Sequence, residues 1–514
     1  MPLCESKLVH QEAVSQRQPG KRAVIGLSRL MKRFLRLVPL MIGFAGGTPR
    51  SRELKVGSAT VDITPDGPVA LAGQFHTRIA QRAETQILAS AVAIEASEED
   101  KVVDESILIS CDLIAVHSSI LEIFRQRLQP LIPELDVRKV IVSATHTHTA
   151  PVTSEIMEEA LICYPIPKEG VMQPQEYVHF LAQRLAEVAV QAWKSRKPGG
   201  VSWTLGYATV GENRRSVDSG GKSCLYGDTG DPHFRHMEGG FDSAVETLFF
   251  WDANQRLTAV AVNLACPSQE VEDGSSINAD FWHDTRERLK QKLNAPGLTV
   301  LGWCSAAGDQ SPHPMIRKEA EARMIRLRGL SRQQELGRRI SNAVVDTLEV
   351  ARADIRTKMP FSHLVQNLRL PPRRILEREY DEARQYIAKY EALKSPDNRI
   401  ATLLRMERGI MKRFEEAALQ MPYAVEVHVL RIGDIAIATN PFELFLDYGV
   451  QLKTRSKALQ TLVLQLTNGY GMYAPTADAI DGGSYSGQPH ANKVSPEGAQ
   501  MLVEQTVQAI NSLF

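Results

Sequence analysis

Between residues 102 and 149 the chain changes its hydrophobic period twice, and this succession constrains the fold more than any other feature. The run VVDESILISCDLIAV reads as a strand and ends near Asp112. Residues 118–131 then carry apolar faces at helical spacing, and KVIVSATHTH follows as a buried-strand run ending in polar residues. Strand, helix and strand in that order imply α/β layering, because each element must bury its apolar side against another. Ligands in such folds collect beyond strand ends, which places Asp112 and His146 where chemistry is expected.

The rest of the chain fits the same class. LKVGSATVDITPDG alternates and then meets an Asp-Gly turn, so folded structure starts near Leu54. An amphipathic helix covers 175–195, and ETLFFWDANQRLTAVAVNLAC reads as two strands joined at 252–255. A helix at 280–293 leads to the strand LTVLGWCS. YAVEVHVLRIGDIAIATNP and QTLVLQLTNGY supply further strands, each ending on polar residues, and a last helix covers 496–513. Charged helices at 318–352 and 376–418 flank a strand-like piece at 361–370. The expectation is one mixed-sheet α/β catalytic domain over 54–514, with a helical insertion at about 318–420.

Composition excludes some functions. Sixty basic residues balance sixty acidic ones among 514, so nothing electrostatic points to nucleic acid as a partner. The six cysteines, Cys4, Cys111, Cys163, Cys224, Cys266 and Cys304, are scattered without a CxxC pair. A disulfide-stapled fold is not expected, although Cys163 and Cys224 could bridge outside the cytoplasm. Residues 1–53 read as a leader. From Met31, MKRFLRLVPLMIGFAGG has the basic start, short apolar run and small residues of a secretory signal. This implies a secreted, periplasmic or cell-envelope protein, with Met31 as an alternative start to Met1; the other reading is an amphipathic N-terminal helix in a cytoplasmic protein. No further segment has the length and apolarity of a membrane span, so no transmembrane segment is expected in the mature chain.

Chemistry is concentrated at strand ends. On an extended chain His146 and His148 point to the same side, where they can face one cation or one substrate; equally, they can be satisfied loop residues. Glu443 in NPFELF follows the strand IAIAT and is either a ligand or base, or a residue favoured in a first helical turn. NGYGMYAPTADAIDGGSYSG presents Tyr470, Tyr473 and Tyr485 on a glycine-rich backbone. Ser311 in GDQSPH sits in a turn behind a strand but lacks a GxSxG elbow.

Taken together and in order, these segments resemble the neutral, non-lysosomal ceramidases, hydrolases of a sphingolipid amide. SATHTHTAP resembles their SATHTHSGP signature, VDITPDG their DITP segment, ENRRS their NRS loop and GDQSPH their GDVSPN segment. NPFE is similar to their PGE glutamate and NGYGMY to their NxYxxY segment, and Tyr485 repeats the family's spacing of twelve beyond Tyr473. The resemblance runs from about Leu54 to the end of the chain. It implies a zinc-dependent hydrolase of an N-acyl amide, with one Zn2+ per chain and a zinc-bound water attacking the carbonyl. His146, Glu443 and Tyr473 would bind zinc, His148 and Tyr485 would steer the proton and polarise the carbonyl, and Arg214 and Ser311 would hold substrate or intermediate. The partner implied is a small N-acyl substrate, met in solution or at a membrane surface.

Two departures qualify this. Where the family has a zinc-binding histidine in an HPxSM-like segment, this chain has CPSQ, so Cys266 either replaces the imidazole as a ligand or is inert packing. In the second case His283 or His76 completes the site, or no metal binds. The family also carries an immunoglobulin-like domain after the tyrosine segment, whereas here one helix follows, so ceramide itself is not implied. Alternatives are a metal-free or non-catalytic ligand-binding relative, and an esterase or amidase that uses Ser311 as nucleophile.

Overall fold

The computed structural model describes residues 51–154, 165–393 and 398–514. The signal-like segment from Met31 and the cysteines Cys4 and Cys163 lie outside the described residues. The main sheet is built from β1 (Arg52–Asp62), β2 (Leu88–Glu98), β3 (Lys101–Cys111), β4 (Val140–Ala144), β5 (Lys197–Tyr207), β6 (Ala244–Asp252), β7 (Leu257–Leu264) and β8 (Thr299–Cys304). Their order across the sheet is β8-β7-β6-β5-β1-β2-β3-β4. Neighbours are antiparallel except β3 with β4 and β7 with β8, which run parallel. The expected hairpin at 252–255 is the β6–β7 turn.

One face of this sheet carries α1 (Ser118–Leu128) and α2 (Pro174–Lys194) on its β1–β4 half, and α3 (Phe281–Lys292) with α4 (Arg332–Asp346) on the other half. Close packing has a sequence cause. Ala89, Ala91 and Ala93 of β2 face the helices, and at Gly57 of β1 a Cβ would lie 2.2 Å from the Ala192 carbonyl of α2. The opposite face meets a second sheet of β9 (Phe361–Leu370), β10 (Tyr423–Ile432), β11 (Ile435–Thr439) and β12 (Gln460–Leu464). Val92, Ile94 and Leu108 from the first sheet pack there against Leu430, Ile437 and Leu462. Each such side chain contributes about 1.5–3 kcal/mol on full burial. The terminal helix α5 (Pro496–Leu513) covers the outer face of the second sheet, which completes a helix–sheet–sheet–helix stack.

The stretch 318–420 is not purely helical. Its strand β9 pairs with β10 along ten residues, and α4 packs against α3. The helices Glu377–Glu391 and Asn398–Glu415 pack on each other around a small cluster of Ile375, Ala383 and Ile410. No described helix is long and apolar enough to cross a membrane.

Candidate active site

The carboxyl-terminal ends of β4, β7, β8, β11 and β12 lead directly into THTHT, CPSQ, GDQS, NPFE and NGYGMY. Parallel pairs cannot be closed by tight turns, so the chain leaves each strand end in an irregular loop, and here these loops meet.

The strand β4 stops at Ala144, two residues short of the first histidine. His146 adopts φ +68°, a left-handed conformation that costs a non-glycine residue about 1–2 kcal/mol. The two imidazoles therefore meet through a turn, not through the extended alternation expected from sequence. His146 Nδ1 donates to the Ile114 carbonyl at 2.7 Å, which makes Nε2 an acceptor. That nitrogen is 3.2 Å from His148 Nε2 and 3.4 Å from a Glu443 carboxylate oxygen.

Glu443 does not open a helix. Glu443–Leu444 pairs in parallel with Tyr473–Ala474, so register sets Glu443 beside Tyr473. The carboxylate accepts from Tyr470 Oη at 3.0 Å and also from the Tyr473 phenol. Burial alone would raise the Glu443 pKa, but His146, Arg214 and Tyr473 outweigh it and hold the carboxyl at about 2. Burial, and then the Glu443 charge, push both tyrosines well up, so each phenol keeps its proton unless a cation is present.

Arg214 is brought in by a second short pairing, Glu212–Asn213 against Gln310–Ser311. Its guanidinium donates to Tyr473 Oη at 3.1 Å, to the Gly308 carbonyl at 3.0 Å and to Tyr226 Oη at 3.4 Å. Tyr226 accepts from Gln269 Nε2 at 2.7 Å and donates to Ser311 Oγ at 3.0 Å, and Ser311 Oγ also accepts from the His313 amide at 3.1 Å. Tyr485 is half-buried, with its ring 5.8 Å from Tyr473 and 5.5 Å from Phe75. Burial and Glu443 raise its pKa too, which makes it a donor toward a substrate oxygen.

His148 is fixed from behind. Its Nδ1 lies 3.3 Å from a Glu272 carboxylate oxygen, at ion-pair distance. Burial would raise Glu272, yet His148 outweighs it and the carboxyl falls to about 2. Arg78 donates to the carbonyls of His148, Glu272 and Gly274 at 2.7 Å each, and to that of Ala72. The sequence reading missed Glu272, Tyr226, Gln269 and Arg78; only the acidic run EVED directly behind CPSQ hinted at the first.

Several expectations are corrected. Cys266 does not join the cluster: it packs among Val210, Leu264, Phe281 and Trp282, with its thiol 3.4 Å from the Pro267 carbonyl. Burial pushes that thiol well up, away from the thiolate a metal needs. The same segment reaches the site through Gln269 instead. His76 is exposed, and His283 lies on α3 beside Asp284, so neither takes the place left by Cys266. Asp112 is fully buried and holds Arg286 through two hydrogen bonds of 2.6 and 2.8 Å. Ser311 has a phenol and a backbone amide as its hydrogen-bond partners, not a base.

Among the described residues, no group of three or more His, Cys, Asp or Glu side chains is placed to hold a metal ion. His146 and Glu443 do present donors 3.4 Å apart, close to the edge of about 3.3 Å implied by tetrahedral bonds of about 2.0–2.1 Å. With the Tyr473 phenol on the same carboxylate, the donors are nitrogen and oxygen, the kinds zinc takes.

No protein-family model matches the sequence, and no curated protein matches it. By structure, the chain is similar to neutral ceramidase from Pseudomonas aeruginosa, with a TM-score of 0.62 and 15% identity over 90% of this chain and 74% of that one. It is equally similar to a ceramidase complexed with C2, with a TM-score of 0.61 and 14% identity over 90% and 75%. The mixed-sheet α/β fold expected from the strand and helix pattern is the neutral ceramidase fold.

Proposed function

We propose that the chain is a zinc-dependent hydrolase of N-acyl amides, with a lipid amide as the first candidate substrate. One observation carries this reading: His146, Glu443 and Tyr473 meet at a point that Arg214 also touches. The solved ceramidases that share the fold support it. His146, Glu443 and Tyr473 would hold the metal, which when bound supplies Lewis acidity and lowers the pKa of water.

The remaining groups are arranged for an amide carbonyl. Arg214 brings a fixed positive charge, and the protonated phenol of Tyr485 brings a donor; together they favour the negative charge that builds on the carbonyl oxygen. Tyr226 and Ser311 form a hydrogen-bonded pair that can hold the polar part of the substrate. A location outside the cytoplasm follows from the segment at Met31 and belongs to this proposal.

The test is zinc analysis of the purified full-length protein, coupled to a screen of N-acyl amides with and without chelator. One zinc per chain is expected, lost in His146→Ala, with amide hydrolysis that stops on chelation. Hydrolysis that survives chelation and disappears in Ser311→Ala would replace this mechanism with a serine one. A protein with neither zinc nor hydrolysis would be a ligand-binding relative.

A further inference from the structure

The helix Lys318–Arg328 has no buried residue. A helix of eleven residues is marginal in water by itself, and most are held by burying an apolar face. This one is held by charge and by its end. Glu321, on its inner side, pairs with Arg332 at 2.9 Å and with Arg339, both on α4, and Gly329 closes the last turn with φ +64°. Its apolar stripe stays outside the fold. Ala320, Met324 and Leu327 recur at i, i+4 and i+7 on one side of the helix, with Met324 41% and Leu327 67% exposed. Ile316, just before the helix, is 40% exposed.

Arginines border the stripe on both sides. Arg323, three past Ala320 and four before Leu327, borders one; Arg328, four past Met324, borders the other. Across residues 317–328 five basic residues stand against two acidic ones, in a chain whose formal charge is zero. Arg323 and Arg326 are exposed and stand apart from the ion pairs that bind Arg328, Arg332, Arg338 and Arg339 to Glu321 and Glu335. Between this helix and α4 lies a groove of about 420 Å³, where Arg317, Arg328, Arg338 and Arg339 outnumber Glu321 and Glu335. That surplus suits an anionic head group.

The helix also starts from the candidate active site, seven residues after Ser311. Between them, His313 lies 3.7 Å from a Glu272 carboxylate oxygen, with its ring 5.7 Å from that of Tyr226. Arg332 donates to the Pro312 carbonyl at 2.8 Å while it pairs with Glu321, so one guanidinium ties the helix to the site loop. An anionic bilayer meets both features of the helix at once. Its acyl boundary takes the stripe, and its phosphates lie within reach of arginines on either side. We propose that the helix Lys318–Arg328 docks the protein on a bilayer that bears anionic lipids, with Met324 and Leu327 entering the acyl boundary and Arg323 and Arg326 meeting the phosphates. This rests on the lipid-amide reading above and deepens it: a substrate held in a bilayer is met by the face next to the site.

The experiment sediments the full-length protein with vesicles of phosphatidylcholine alone and of phosphatidylcholine mixed with phosphatidylglycerol. The wild type is expected to favour the mixed vesicles and to lose that preference in high salt. Arg323→Gln with Arg326→Gln should weaken binding to them by about 25-fold, about 5-fold for each charge removed. Met324→Ser with Leu327→Ser should weaken it by about 10-fold or more. All four side chains are exposed, and near-ultraviolet circular dichroism checks that both paired variants fold. Each should hydrolyse a water-soluble N-acyl amide as the wild type does and lose hydrolysis of a lipid amide held in the mixed vesicles. Wild-type vesicle binding in either paired variant would place the membrane contact elsewhere in the chain and overturn the proposal. So would a wild type that ignores the mixed vesicles, which leaves this face to an acidic protein partner. Vesicle binding that falls in both variants, without hydrolysis of any amide, would support the docking face and defeat the hydrolase reading alone.

Discussion

Asp112 stands one residue beyond β3, and Cys266 two residues beyond β7, both at strand ends of the kind where site residues collect. What separates them from His146 and Glu443 is the identity of their neighbours. Both Asp112 oxygens accept from Arg286, and one also accepts from the Leu88 amide, so the carboxylate is satisfied by protein alone. His146 and Glu443 instead face one another at 3.4 Å, with His148, Tyr470 and Tyr473 hydrogen-bonded to them and no guanidinium holding either one in a two-bond clamp. Arg286 is 3% exposed and Asp112 0%, so removing either partner strands a charge in a water-free interior. Arg286→Ala is therefore expected to lose about 3–5 kcal/mol in urea unfolding. Arg286→Ala paired with Asp112→Ala should recover part of that loss, because no orphan charge remains. A single-variant loss below about 1 kcal/mol would mean that water reaches the pair.

At the scale of elements, strands and helices were legible because their hydrophobic periods are clean. The predicted helix at 175–195 is Pro174–Lys194, and the last helix at 496–513 is Pro496–Leu513. The site was legible in part, since its strand-end motifs are contiguous in sequence: His146, Glu443, Tyr473 and Arg214 come together. Glu272, Tyr226 and Arg78 were not legible, because irregular loops carry them and no period relates them to their partners. Two-residue pairings do the joining, and Glu212–Asn213 with Gln310–Ser311 is too short to leave a pattern. A left-handed His146 has no sequence signature either. Gly73 offers a test of how loop geometry sets the site. Its φ is +101°, and an added Cβ would lie 2.7 Å from His148 Cβ and Cγ. Gly73→Ala should cost roughly 1–3 kcal/mol of stability through backbone strain and displace His148, with a loss of amide hydrolysis larger than the stability loss explains. Gly67→Ala, where an added Cβ meets nothing within 4 Å, is the control and should leave hydrolysis unchanged.

For the whole molecule, the question is what holds the two sheets and the helix layer in the one arrangement that gathers the five loops. Apolar contact between the sheets is strong but non-directional; a polar network supplies the register. Glu426 on β10 accepts two hydrogen bonds from Arg125 of α1, at 2.7 and 3.1 Å, and one from Asn468 at 3.0 Å. Asn468 also binds the Val142 amide and the Val140 carbonyl of β4, two residues before Tyr470 reaches Glu443. One carboxylate thus links the helix layer, both sheets and the site. Burial would raise its pKa, but His428 and Arg125 outweigh burial and set it at about 2 against an ordinary 4.5. A carboxyl depressed in the folded state stabilises fully above its unfolded pKa and loses that contribution as pH falls from 4.5 toward about 2. At neutral pH the shift corresponds to about 3 kcal/mol, which solvent screening of this partly exposed carboxyl reduces to roughly 2–3 kcal/mol. Glu426→Gln should therefore be less stable than the wild type at pH 7 by about that amount and converge with it near pH 2, as followed by urea unfolding across pH. Parallel pH curves for the two proteins would place the acid sensitivity in other carboxylates and deny this network its role in holding the layers.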